Sequence, residues 1–296
     1  MQPVAVVVSA HGRHVVVETP DGARVHCHTR GKRSDVVVGD HVAWEQSGDQ
    51  GVVVSIQPRR NILHRQDEWR SKSFAANLDQ VLLLVAVEPT FSDVQLTKCL
   101  IAAADAEVPA HIICNKMDLP GAGVTLERLK AYTGTNVDMI PLALKGPKSN
   151  ARETLTPLLH GKVTLVIGAS GVGKSSLINL MVPDADAQVG EISQALNSGK
   201  HTTTATRWYW LHGIDAASQK QSALIDTPGF QQFGLHHIAP DRLASLMPDI
   251  QRHATECKFY NCTHRHEPGC GVVAALERGE ISDVRYRLYN ELTQAS

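Results

Sequence analysis

Apolar and polar positions alternate in short runs over the first sixty or so residues, and the runs read as strands. They cover Val4 to Val8, His14 to Glu18, Arg24 to His28, His41 to Trp44 and Gly51 to Ile56. Turn signals separate them at His11-Gly12, Asp21-Gly22, Gly39-Asp40 and Ser47-Gly48-Asp49. Such a series predicts a small OB-like β-barrel, an architecture that often serves nucleic acid, although fold alone does not prove that use. From Asn77 the pattern changes. Strands are predicted over Asp79 to Val87, Ala110 to Cys114, Asp138 to Pro141 and Val163 to Ile167. They alternate with helical spacing over Val94 to Ala106, Leu126 to Tyr132, Arg152 to Leu159 and Ser176 to Met181. This order predicts a parallel sheet covered by helices on both faces.

Asp184 to Arg207 has few apolar positions and three consecutive threonines, and is expected to be a mobile loop that orders on ligand binding. Trp208 to Leu211 and Ser222 to Ile225 then read as paired strands. The remainder, from about Ile238, reads as helical segments ending in an amphipathic helix over Asp283 to Thr293. The fold class expected is multidomain α/β: an OB-like barrel over 1–64, an α/β domain over 65–237 and a helical module over 238–296.

Candidate chemistry sharpens this outline. Gly168-Ala169-Ser170-Gly171-Val172-Gly173-Lys174-Ser175, followed by Ser176, fits G-x-x-x-x-G-K-[ST] between a strand and a helix. Its glycines let backbone N–H groups approach a polyphosphate at a helix N-terminus. Lys174 supplies charge to the β- and γ-phosphates, and Ser175 a hydroxyl for Mg2+. Asn115-Lys116-x-Asp118 fits a guanine-reading motif, because the Asp118 carboxylate accepts from both the ring N–H and the exocyclic amine of guanine, a pairing adenine does not offer. Asn115 is expected to tie this loop to the phosphate loop, and the Lys116 stem to cover the base. Asp226-Thr227-Pro228-Gly229 supplies a water-mediated Mg2+ ligand in Asp226 and a γ-phosphate sensor in Gly229. Thr203, within His201-Thr202-Thr203-Thr204, is the preferred residue to complete the metal shell when GTP is bound.

Composition bounds the rest. At 296 residues and 43% hydrophobic, the chain has room for two or three domains. It contains no apolar run of about 18 residues and no signal-peptide start, which predicts a cytoplasmic protein. A net charge of −1 argues against a simple nucleic-acid coat protein. Arg30-Gly31-Lys32-Arg33 and Arg59-Arg60 could still face a phosphate backbone. Trp44 is the one aromatic of that segment, so RNA contact and solvated loop charge both remain open. Cys27, Cys99 and Cys114 read as inert core thiols. Cys257, Cys262 and Cys270 cluster within fourteen residues that also hold His264 and His266, a donor set suited to one structural zinc ion.

In a conventional GTPase the phosphate loop precedes N-K-x-D; here it follows by some fifty residues, so the chain is circularly permuted. The permuted order, the OB-like segment and the Cys257-x4-Cys262-x-His264-x5-Cys270 cluster together resemble the bacterial ribosome small-subunit-dependent GTPases, across nearly the whole chain. That resemblance implies GTP hydrolysis stimulated by the 30S subunit during its late maturation. It further implies GTP or GDP with Mg2+, structural zinc on Cys257, Cys262, His264 and Cys270, rRNA contact, no membrane and a monomer. One departure from the Ras-like pattern is Phe230, where a water-orienting glutamine is expected. His237, with Lys174 and Thr203, is then the catalytic candidate, set against the alternative of a plain surface histidine. Two rival functions stay open: a P-loop kinase or ATPase, and an RNA-binding assembly factor that uses guanine nucleotide only as a structural ligand.

Overall fold

The computed structural model describes residues 4–29, 35–67, 70–146, 149–183, 185, 206–211, 221–227 and 234–294. Strands β1 (Val4–His11), β2 (His14–Glu18), β3 (Arg24–Thr29), β4 (His41–Ser47) and β5 (Gln50–Ile56) run in the order β1-β2-β3-β5-β4, and β4 pairs back on β1 to close a barrel. Alternation explains its filling: Ala5, Val7, Val15, Val17, Cys27, Val42 and Val53 point inward and form one core. Val8 and Val16, one position out of phase, face outward and join the larger core of the neighbouring domain.

A hairpin of β6 (Ile62–Asp67) and β7 (Arg70–Ala76) follows, and the expected boundary at 64/65 falls inside it. The α/β domain contains β8 (Gln80–Ala86), α1 (Asp93–Asp105), β9 (Ala110–Asn115), α2 (Ala122–Leu129), β10 (Asp138–Pro141), α3 (Ala151–Leu159), β11 (Val163–Gly168), α4 (Lys174–Met181), β12 (Thr206–Trp210) and β13 (Ala223–Asp226). Its strands lie in the order β10-β9-β8-β11-β13-β12, parallel except for β12 at the edge. β8 is buried along its whole length, as a strand covered on both faces must be. Val81, Leu83 and Val85 pack on the α1 side, and Leu82, Leu84 and Ala86 on the side of α3 and α4. β12 also pairs with β1, Ser9 opposite Arg207 and Ala10 opposite Thr206, so barrel and α/β domain share one continuous sheet.

The C-terminal helices α5 (Pro248–Ala254), α6 (Gly271–Glu277) and α7 (Asp283–Gln294) have no separate core. Ile250, Val272, Ala275, Tyr289 and Leu292 pack into the cluster that holds Leu96, Leu100 and Ile101 of α1. A buried ion pair fixes this docking. The Arg285 guanidinium donates to Asp249 from Nε at 2.6 Å and Nη2 at 3.0 Å, and from Nη1 to Thr97 Oγ1 of α1 at 3.0 Å. It also lies over the Tyr132 ring, whose hydroxyl donates to Asp93 at the start of α1.

The basic residues of the barrel segment divide. Arg59 pairs with the fully buried Asp40, and Arg60, still exposed, with Asp79, so both stitch loops together. Arg30 to Arg33 lie outside the described residues. Cys27, Cys99 and Cys114 are buried thiols, pushed up by burial, as expected of inert core cysteines. Among the described residues no helix is long and apolar enough to cross a membrane.

Candidate functional site

The C-terminal ends of the parallel strands β8, β9, β11 and β13 converge, which is where open α/β sheets bind ligands. β11 delivers Gly168 and the phosphate loop, β9 delivers Asn115, and β13 delivers Asp226. Asn115, Lys116, Asp118, Leu119, Lys145, Gly171, Gly173 and Ser176 line one open cleft of about 270 Å³. The base-reading motif and the phosphate loop, more than fifty positions apart in the chain, are therefore two walls of one site.

Asn115 is the tie. Buried to 3% exposure, it donates from Nδ2 to Val172 O at 2.8 Å and accepts at Oδ1 from Leu144 N at 3.0 Å. Lys116, in a left-handed conformation, crosses the cleft and donates to Glu88 O at 2.6 Å. Two glycines are dictated by close approach. A Cβ on Gly168 would meet Leu84 O at 2.8 Å, and one on Gly173, whose φ is +112°, would stand 2.2 Å from Asn115 Nδ2. Without Gly173 the Asn115 tie has no room.

α4 begins at Lys174, so Ser175 and Ser176 sit in its first turn, where backbone N–H groups lack helical partners. Ala169, Ser170, Gly171 and Ser175 are exposed. Lys174 folds onto the loop and donates to Gly168 O at 2.8 Å; burial lowers its pKa. Asp226, at 6% exposure, is pushed up to about 6 by burial, against the pull of Lys174 and Arg207, and its Oδ1 is a buried acceptor without a hydrogen-bond partner among the described residues. An orphaned carboxylate oxygen near the phosphate-loop lysine fits a hydrated divalent cation. Thr203, Gly229 and Phe230 lie outside the described residues, as does most of the loop expected over Asp184 to Arg207.

His237 is not brought to the phosphate loop. Its Nε2 lies 3.7 Å from Asp105 Oδ2 at the C-terminal end of α1, and its ring is 5.9 Å from that of His64. α1 starts beside the phosphate loop, where Ser92 and Gln95 share a pocket with Gly168 and Ala169, and spans about 18 Å at 1.5 Å per residue, so in this arrangement the imidazole stands at the far end of α1 from that loop. Burial lowers its pKa, and Nδ1 has no hydrogen-bond partner among the described residues.

At the C-terminus, one ligand atom from each of Cys257, Cys262, His264 and Cys270 lies within 4.8 Å of the others. The Cys257 and Cys270 sulfurs are 3.9 Å apart, with His264 Nδ1 at 3.4 and 3.7 Å from them. Zn–S bonds of about 2.3 Å in a tetrahedron require sulfurs about 3.8 Å apart, so the donors fit that ion. Burial and the neighbouring thiols push Cys262 up to about 12, a repulsion that a cation relieves. The Cys270 sulfur also accepts from Val273 N as the cap of α6, and Tyr286 donates to His264 O at 2.8 Å. His266 is exposed and outside the cluster.

Sequence reasoning missed Leu144 and Lys145. They follow β10 and complete the base-side wall, but the segment carries no periodic signal.

A base-reading strand placed before the phosphate loop, a closed barrel ahead of both and a four-donor metal cluster behind them define a circularly permuted GTPase. The RsgA GTPase family model matches residues 56–236. The small ribosomal subunit biogenesis GTPase RsgA of Variovorax paradoxus is 55% identical over 291 residues, 97% of this chain and 90% of that relative. Its namesake in Burkholderia pseudomallei is 48% identical over 289 residues, with the same coverage. The chain belongs to the RsgA GTPase family. The crystal structure of YjeQ from Thermotoga maritima superposes with a TM-score of 0.74 at 29% identity, covering 100% of this chain and 98% of that one. YloQ, a circularly permuted GTPase, gives 0.71 at 25% identity, covering 100% and 95%.

Proposed function

We infer that this chain hydrolyses GTP in the service of small ribosomal subunit biogenesis, the role its relatives' names carry. The observation that supports this best is the shared cleft: Asp118 and Lys116 on one wall, the phosphate loop on the other, and Asn115 bonded across them. Ser175, Asp226 and Thr203 are the residues to hold Mg2+, which shields phosphate charge when bound. Lys174 turns from Gly168 O to the β- and γ-phosphates, and Gly229 senses the γ-phosphate. The Cys257, Cys262, His264 and Cys270 donors hold zinc, which ties α5 and α6 to the loop between them. In this reading the protein acts as a cytoplasmic monomer on the 30S subunit and its rRNA, late in maturation.

His237 is the proposed water-activating group. A half-buried imidazole whose pKa is lowered by burial is neutral at pH 7, the form that accepts a proton. Its place beside Asp105 means that His237 must leave that carboxylate before it meets water at the γ-phosphate. Low intrinsic turnover, raised by the ribosomal partner, follows from that arrangement.

Competition for a fluorescent guanine nucleotide tests the site. GTP and GDP displace it while ATP and ADP do not, and Lys174→Ala hydrolyses no GTP. Equal displacement by ATP would return the chain to the adenine-using P-loop enzymes.

A further inference from the structure

Few aromatic side chains are present, 5% of the sequence, and among the described residues only two are left exposed. They are adjacent: Phe259 at 42% exposure and Tyr260 fully exposed. Both lie in Lys258-Phe259-Tyr260-Asn261, the loop between the first two metal ligands, and all four residues are exposed. An apolar ring held in water needs a reason, and two in succession at a loop tip point to a partner.

The loop is not slack. Cys257 and Cys262 anchor its ends, Lys258 N donates to Gly269 O at 3.0 Å, and Cys262 N donates to Phe259 O at 3.2 Å. The tip is thus preorganised, which lowers the entropy lost on binding. Charge selects the class of partner. Lys258 Nζ stands 5.6 Å from the Phe259 centroid, and among the described residues no carboxylate pairs with it. The nearby acids are occupied. Glu267 accepts from Thr263 N and Oγ1, Arg265 N and His266 N, while Glu256 pairs with His253 and Arg278. What faces solvent is a flat ring beside an unpaired cation.

We propose that Lys258-Phe259-Tyr260-Asn261 is a stacking platform that takes one unpaired RNA base on the Tyr260 ring and its phosphate on Lys258. Paired A-form RNA hides its base faces, so the platform selects splayed or single-stranded nucleotides. The inference rests on the reading that the chain works on small-subunit rRNA.

The test uses the full zinc-loaded chain and variants Tyr260→Ala, Tyr260→Trp and Lys258→Ala. Fluorescence anisotropy measures binding of a short labelled oligoadenylate and of a duplex of equal length; co-sedimentation measures binding to small subunits. One stacked base is worth a loss of about fivefold or more for Tyr260→Ala on oligoadenylate. Tyr260→Trp restores binding, the duplex is indifferent to Tyr260→Ala, and Lys258→Ala weakens both RNAs. Equal oligoadenylate binding by wild type and Tyr260→Ala, or none by wild type, overturns the proposal. So does an equal loss on the duplex. A loss confined to co-sedimentation assigns the ring to a ribosomal protein instead. Subunit-stimulated GTP hydrolysis by the wild type is read in parallel: its absence removes the functional reading, whereas its presence with an indifferent Tyr260→Ala removes the platform alone.

Discussion

Replacing Asp226 with asparagine should make the nucleotide-free protein more stable while ending its hydrolysis. The carboxyl lies under the phosphate loop, and burial pushes it from 3.8 to about 6, with the Lys174 charge already opposing that shift. A folded-state pKa above the unfolded one means that the native protein binds the proton more tightly. Stability therefore falls as pH rises from about 4, and the full penalty stands above pH 6. Two units at 1.36 kcal/mol each give about 3 kcal/mol at pH 8, and about 1 kcal/mol at pH 4.5. Asparagine has no charge to desolvate and keeps the shape. Urea denaturation followed by tryptophan fluorescence, without nucleotide, should give a gap between variant and wild type that grows with pH. Mg2+ and GTP at a thousandfold excess over Kd should reverse the order, because ligand at that excess adds about 4.1 kcal/mol to the form that binds it, more than the penalty of about 3 kcal/mol. Equal stability at pH 8, or a gap that does not change with pH, refutes the assignment of Asp226 as a strained carboxylate awaiting a cation.

Arg285→Ala leaves Asp249 buried and unpaired and should cost about 3–5 kcal/mol in denaturation, whereas Arg285→Met with Asp249→Leu recovers most of it. Zinc removal by a strong chelator should lower helicity by circular dichroism and weaken binding to small subunits. Cys270 caps α6, and Tyr286 is bonded to the metal loop, so retention of both signals counts against a structural metal. His237→Ala should lower subunit-stimulated turnover by about a hundredfold or more with GDP affinity intact. Unchanged stimulated turnover removes His237 from the chemistry.

Local pattern carried much of this architecture. The barrel strands were legible because short β-branched runs are separated by clear turn residues, and β8 because a doubly covered strand is apolar throughout. The β6–β7 hairpin was not legible: His64 to Ser73 is polar almost without interruption, so neither period appears. The pairing of β1 with β12 joins positions some two hundred residues apart, and no local periodicity encodes a sheet edge's partner. Charge pattern alone did not reveal ion pairs. Arg59 and Arg60, read as phosphate contacts or solvated loop charge, each pair with an aspartate, while Arg285, on a helix that reads as amphipathic, lies at 2% exposure because Asp249 meets it. Asn115 was predictable in role because its chemistry demands a partner in the phosphate loop, and Val172 O is that partner. Leu144 and Lys145 were not, since a backbone N–H and an exposed lysine leave no mark on the pattern.

Phosphate release from GTP by the full chain, with and without purified small ribosomal subunits, tests the central claim most directly. The account predicts slow release alone, a large rise on adding subunits, no release from ATP under either condition, and none from GTP by Lys174→Ala. A rate indifferent to subunits, or ATP turned over as readily as GTP, contradicts it.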